Sequence, residues 1–224
     1  MTDTIDRPET SDDERILDHL VVRFAGDSGD GMQLTGDRFT SVSASFGNDL
    51  STLPDFPAEI RAPAGTVNGV SAFQVNIADH DITTPGDEPN VLVAMNAAAL
   101  RADLHRLAPG GTLIVNEDSF GDRDLSKAGY DSNPLDDNEL AQYRVLKVPM
   151  TRLTKEVCEP LGVKPRDAER SKNFFALGLV SWMYTRPTEP TEEWIDEKFS
   201  KNELVASANK AAFRAGFNFG ETTE

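Results

Sequence analysis

The sequence predicts an α/β fold: a three-layer, Rossmann-like domain with a mainly parallel sheet and a helical C-terminal tail. Three observations carry this. A short apolar run, "LVVRFAG", ends in a glycine turn that opens a helical pattern. Later runs repeat strand, helix, strand, which is how parallel sheets are connected. Beyond residue 150 the apolar spacing becomes helical throughout.

Each element follows from its own residues. Residues 1–18 are acidic and polar without periodicity, so they are expected to form a disordered arm. Residues 20–26 have the length and composition of a buried strand. In 31–47, Met32, Phe39, Val42 and Phe46 fall at helical spacing, with Gly47 placed to cap the end. "LSTLPDF" begins a second short strand, expected to stop at its proline. Residues 57–70 hold too much Pro and Gly for regular structure. Residues 71–79 alternate like a strand with one polar face, and 88–96 form another buried strand. Residues 97–111 predict a helix with late basic residues and a glycine stop, and 112–117 the next strand. A polar stretch around 121–140 is expected to be a surface excursion, and 143–150 the last strand.

Four helical segments close the chain. They are 150–162, stopped by Pro160; the strongly apolar 168–186; 190–200, with Thr191 as its expected N-cap; and 203–220. Phe174, Phe175, Leu177, Leu179, Val180, Trp182, Met183 and Tyr184 cover more than one face of their helix, which predicts burial nearly all round.

Composition excludes several functions. The net charge of −16 disfavours non-specific nucleic-acid binding, which needs clustered Lys and Arg. No apolar run is long enough to span a membrane. The N-terminal residues match neither a secretory signal nor a transit peptide, so a cytoplasmic location is expected. The single cysteine, Cys158, cannot form an internal disulfide or an all-cysteine cluster site, and is expected to be a small buried thiol. His19, His80 and His105 stand apart from one another and are expected to be structural.

The glycine turn spaces Gly26, Gly29 and Gly31 as G-x-x-G-x-G, not as the dinucleotide fingerprint G-x-G-x-x-G. Asp49 lies near the position of that fingerprint's acid but begins the second run instead of ending it. No lysine follows the glycines, so this is not a Walker loop. "GDG" at 29–31 has the letters of a thiamine diphosphate motif, but no Asn pair follows. Tight turning alone could also explain the glycines. Asp27 and Asp30 would repel a phosphate unless they point elsewhere. They are expected to bond neighbouring backbone or meet a basic group of a partner domain, leaving Ser28 and backbone N–H groups to face a ligand.

"GDSGDGMQLTGDRF", "FPAEIRAPAGTVNGVSAFQV" and "SKNFFALGLVSWMY", in this order, resemble the gamma domain of the 2-oxoacid:ferredoxin oxidoreductases. The similarity is greatest to the domain that begins the alpha subunit of the 2-oxoglutarate enzymes, and it covers roughly residues 19–220, read as one domain. The Glu-Ile-Arg-Ala-Pro-Ala-Gly-Thr stretch is its specific part. "FNFGETTE" looks like the passage into that family's next domain.

The resemblance implies a domain of an enzyme that oxidatively decarboxylates a 2-oxoacid to an acyl-CoA. That enzyme uses thiamine diphosphate, Mg²⁺ and iron–sulfur clusters and passes electrons to ferredoxin. The gamma domain helps form the coenzyme A site beside a thiamine-binding alpha-type domain and a beta subunit, and carries no thiazolium chemistry. The expected cofactor-binding residues are Gly26, Ser28, Gly29, Gly31, Arg61, Gly65, Thr66, Asn96 and Asn173, with no catalytic residue and no metal ligand in this chain. Many separate gamma subunits have a neutral turn where this one has two aspartates. A stand-alone Rossmann-type nucleotide-binding module is the alternative.

Several of these residues have structural readings beside the functional one. Arg61 could pair with Glu59, Asn96 could cap the following helix, Asn116 has the same ambiguity, and Asn173 could bond a neighbouring loop. For Arg61 the two readings separate by experiment. A guanidinium contact to phosphate contributes roughly 1.5–3 kcal/mol, or about ten- to a hundredfold in affinity. Arg61→Ala should raise KM for coenzyme A by that factor in steady-state acyl-CoA formation by the assembled enzyme, and Arg61→Lys should recover only part of the loss. If KM for the 2-oxoacid rises instead, Arg61 serves the oxoacid carboxylate; if neither moves, Arg61 is a structural ion pair.

Overall fold

A computed structural model describes residues 19–57 and 62–223. The expected arm, residues 1–18, and Arg61 with its neighbours 58–60 lie outside the described residues.

The sheet has six strands in the order β2-β3-β1-β4-β5-β6. They are β1 (His19–Asp27), β2 (Asp49–Asp55), β3 (Val70–Ala78), β4 (Val91–Ala94), β5 (Thr112–Asn116) and β6 (Arg144–Val148). The pairings β1–β4, β4–β5 and β5–β6 are parallel. Only β3 runs against its neighbours, pairing antiparallel with both β1 and β2. The sheet is therefore mainly parallel.

Alternation along the strands divides the core into two layers. Val22 and Phe24 of β1, Val75 and Ile77 of β3 and Val93 of β4 face one side. There they meet α1 (Met32–Ala44), α6 (Lys172–Met183), α7 (Glu189–Lys198) and α8 (Glu203–Thr223). Ala25, Leu92, Ala94, Leu113 and Val115 face the other, against α2 (Ala97–Asp103) and α3 (Asp122–Ala128). Arg23 points into this second layer and is 1% exposed. Its guanidinium donates to Asp103 of α2 at 2.9 Å and to Asp55 of β2 at 2.6 Å. One buried cation thus joins a helix and the edge strand to β1.

Several expectations need correction. β2 does not stop at its proline: Pro54 sits inside it, opposite Phe73. It can do so because an edge strand leaves one side of its backbone unpaired, so a missing N–H costs no ladder bond. The polar stretch after β5 contains α3, closed by Gly129 at φ +77. Its pattern was too polar to signal a helix, because Leu125 and Ala128 alone are buried in it. Thr191 is not an N-cap; α7 begins at Glu189 after Thr188, with Pro190 in its first turn. Thr191 is instead 1% exposed, with its hydroxyl 3.4 Å from Arg38 Nε. The segment 168–186 is helical in two parts, a short turn at Glu169–Ser171 and then α6.

From Asn173 through Ser181 every residue of α6 is buried. Its outer face is covered by α8, and the two backbones come into contact. An added methyl at Gly178 would overlap the carbonyl oxygen of Phe213, and one at Gly216 that of Phe175. Gly220 is held against the Trp182 ring in the same way. No side chain fits between the helices, so glycine is required for steric reasons, not for its φ.

Gly216→Ala should therefore separate the two helices and cost about 1–3 kcal/mol, the range for overpacking a core. Gly29→Ala is the control: an added methyl there meets nothing within 4 Å. It should change stability by no more than about 0.5 kcal/mol. Thermal denaturation of both variants checks this, and an unchanged Tm for Gly216→Ala would contradict the packing described.

Candidate functional site

β1 and β4 are parallel neighbours, but α1 leaves β1 toward one face of the sheet and α2 leaves β4 toward the other. Diverging helices open a crevice at the carboxyl ends of the two strands, where α/β sheets place ligands. Here it is a cleft of about 290 Å³ lined by Asp27, Gly65, Asn96, Ser119, Thr151 and Lys172, among others.

The glycine turn forms its edge. The Ser28 N–H donates to Gly69 O at 3.1 Å and the Asp30 N–H to Asp27 O at 2.8 Å. Gly31 has φ +76, and an added methyl there would lie 2.7 Å from the Asn173 amide nitrogen. Gly26 is tight on three sides, with Asp30, Met32 and Met95 each 3.2 Å from an added methyl. Gly29 has nothing within 4 Å. Gly31 is thus required by its left-handed φ, Gly26 is tightly packed, and Gly29 is open.

Both aspartates are occupied. Asp27 Oδ1 accepts the Gly65 N–H at 3.0 Å, which ties the turn to the loop before β3. Burial pushes the Asp27 carboxyl up; the Gly65 N–H opposes that, the Asp30 charge adds to it, and Asn96 and Lys172 oppose it further. Asp30 Oδ2 accepts the Asp27 N–H at 3.2 Å, and its Oδ1 lies 3.0 Å from Lys172 Nζ. The basic group that meets Asp30 is therefore in the same chain, at the start of α6, and not in a partner domain.

The family model for the pyruvate ferredoxin/flavodoxin oxidoreductases matches residues 21–219. The chain belongs to this family. It is 58% identical over 212 residues to the 2-oxoglutarate oxidoreductase subunit KorA of Mycobacterium tuberculosis, covering 95% of this chain. It spans only about a third, 32%, of that relative's length. Among solved structures it is similar to the 2-oxoglutarate:ferredoxin oxidoreductase of Magnetococcus marinus, with a TM-score of 0.72 and 25% identity. That likeness covers 93% of this chain and 32% of the other, which was solved with 2-oxoglutarate, coenzyme A and succinyl-CoA bound. The gamma subunit of the keto/oxoacid ferredoxin oxidoreductase from Geobacter sulfurreducens shares the fold at a TM-score of 0.63 and 20% identity, covering 91% of this chain and 99% of that one.

Within this family fold, the residues expected from sequence divide between two cavities. Gly65 and Asn96 line the crevice. Gly29, Gly31 and Asn173 line a second cavity of about 580 Å³, bounded by the starts of α1, α6 and α8 and walled by Leu34, Phe174, Phe199 and Val205. Asp30 lines the second cavity and its partner Lys172 the first, so this ion pair is the partition between them. Ser28 and Gly26 line neither. Thr66 is in a turn, its hydroxyl donating to Pro63 O at 2.7 Å.

The asparagines separate by role. Asn96 Oδ1 accepts the Ala99 N–H at 2.8 Å, so it caps α2 while its amide supports Asp27. Asn116 is fully buried and bonds Met95 O, Ser119 and Thr151, tying together the ends of β4, β5 and α4 (Met150–Cys158). Asn173 reaches Thr35 Oγ1 at 3.4 Å, and its Oδ1 is buried without a partner among the described residues. The crevice groups that sequence reasoning missed include Lys127, Lys155 and Lys172. Lys172 stood beside Asn173 in a motif already singled out, but nothing in the sequence pairs it with Asp30.

Cys158 is buried with its thiol raised by that burial. Among the described residues no group of three or more His, Cys, Asp or Glu could hold a metal, and no helix is long and apolar enough to cross a membrane.

The open glycine and the packed one should behave differently. Gly31→Ala forces a left-handed φ and a clash with Asn173, and should cost about 1–3 kcal/mol. Gly29→Ala meets nothing and should stay within about 0.5 kcal/mol of the parent. Denaturant unfolding followed by circular dichroism measures both, and equal losses would refute the division.

Proposed function

We propose that this chain is the gamma domain of a 2-oxoglutarate:ferredoxin oxidoreductase subunit and helps form the site for coenzyme A. The enzyme decarboxylates 2-oxoglutarate oxidatively, passes the electrons to ferredoxin and makes an acyl-CoA. The observation that carries this is the 58% identity, over nearly the whole chain, to a 2-oxoglutarate oxidoreductase subunit. The likeness to a solved enzyme holding coenzyme A and succinyl-CoA supports the ligand. A cytoplasmic enzyme of 2-oxoacid metabolism, in the tricarboxylic acid cycle, fits these relatives.

The crevice supplies what a domain of this kind contributes. The Gly65 loop, the first residues of α2, Ala97 and Ala98, and three lysines, Lys127, Lys155 and Lys172, line it and can meet phosphate oxygens. Four carboxylates, Asp27, Asp118, Asp124 and Glu169, line the same cleft. Three ammonium groups against four carboxylates do not hold a polyanion. Cations from outside the cleft must complete the site, and Arg61, four residues before Gly65, and the neighbouring domains are the candidates. The site is shared by construction.

Thiamine diphosphate, Mg²⁺ and iron–sulfur clusters do not fit the residues described, which offer no metal-ligating cluster and one buried thiol. In the complete enzyme they belong to the thiamine-binding alpha-type domain and the beta subunit. The part of this chain is to bind and orient coenzyme A.

The 224-residue chain alone should not reduce a viologen dye with 2-oxoglutarate and coenzyme A. The same assay on the complete enzyme containing this domain should give coenzyme A-dependent reduction. Turnover by the highly purified chain alone would refute the reading.

A further inference from the structure

Three ammonium groups line the crevice, and their surroundings differ. Lys155 is paired with Glu169 at 2.9 Å, and both side chains are well exposed. Lys127 donates to Ala64 O at 3.2 Å from an exposed position. Lys172 is the protected one: its side chain is 12% exposed and its partner Asp30 15%. It is the first residue of α6, and the nine residues after it are all buried, so core packing fixes where it starts. Asp30 is held from its other side as well, because its second oxygen accepts the Asp27 N–H at 3.2 Å. An ammonium carries three N–H groups. Asp30 is the partner found for Lys172 among the described residues, which leaves N–H groups for a ligand in the crevice.

We propose that Lys172 is a phosphate-binding group of the crevice and that Asp30, instead of repelling the anion, holds the ammonium in place. This rests on the coenzyme A reading above and names a group that takes its phosphates. It also accounts for an acid in a phosphate-type turn: the carboxylate faces the lysine and the lysine faces the cleft. Lys172 is a binding residue and Asp30 a positioning residue. A purely structural ion pair is the competing account, in which Lys172 serves only to neutralise Asp30.

The two accounts differ in a double variant. Lys172→Met alone leaves the Asp30 carboxylate unpaired in a mostly buried position, so it should lower Tm on either account. Asp30→Asn with Lys172→Met removes both charges, keeps the acceptor for the Asp27 N–H, and should restore most of the Tm. The measurement is steady-state acyl-CoA formation by the complete enzyme, with coenzyme A and 2-oxoglutarate varied separately.

Both the single and the double variant should raise KM for coenzyme A by about ten- to a hundredfold. KM for 2-oxoglutarate should stay within about twofold, since a lost ground-state contact acts on its own ligand. Lys172→Arg should recover part of the loss. If KM for coenzyme A returns to the parent value in the double variant together with Tm, or never moves, the proposal is overturned. If the parent enzyme shows no coenzyme A-dependent turnover, the functional reading falls, and this inference with it.

Discussion

The contact between α6 and α8 fixes the rest of the site. The two helices touch backbone to backbone at Gly178 and Gly216, so neither can slide without a clash. That sets the axial position of α6 over the sheet, and with it the place of its first residues. Asn173 is held against Gly31, and Lys172 against Asp30. The glycine turn in turn carries the Asp27 carboxylate to the Gly65 N–H. A steric constraint deep in the helical layer is thereby relayed to the crevice edge through a few rigid contacts, each shorter than the play of a free side chain.

The electrostatics bear on the anionic ligand proposed for this acidic chain. With a net charge of −16, the whole domain repels polyanions at long range. At short range the carboxylates of the turn are turned inward, one to a backbone N–H and one to an ammonium. Asp30 thus presents its lysine to the cleft, while Asp27 lines the cleft with its carboxylate tied to the Gly65 N–H. Salt screens the long-range repulsion within about 10 Å at 0.1 M, whereas protected contacts inside the cleft keep their strength.

Much of the fold was legible because its signals are local. Every strand was found from runs of four to nine residues, and α6 announced its burial by apolar residues on all sides. α3 was missed because two buried residues make no periodicity. Pro54 misled because a sequence does not say which strand is an edge. Of the site, the glycine turn and the Gly65 loop were readable as motifs. The Asp30–Lys172 pair and the Arg23–Asp103–Asp55 cluster were not, since each joins residues far apart in the chain whose meeting depends on how the layers stack. Arg23 in particular lay in a run that otherwise reads as an ordinary buried strand. The split of the expected residues between two cavities was equally invisible, because the adjacent letters Lys172 and Asn173 line different cavities.

The pairing of buried Arg23 with the half-exposed Asp55 also bears on how the sheet edge can meet other chains. Asp55 ends the edge strand and turns its carboxylate inward to the arginine, and Pro54 beside it offers no N–H. A neighbouring chain seeking to extend the sheet at the end of β2 meets a missing donor and a strand end anchored from beneath. Lateral growth of the sheet is blocked at that point. Assembly is thus directed away from strand addition there and toward contacts between side chains, which can be made and broken without opening the domain's own backbone ladder.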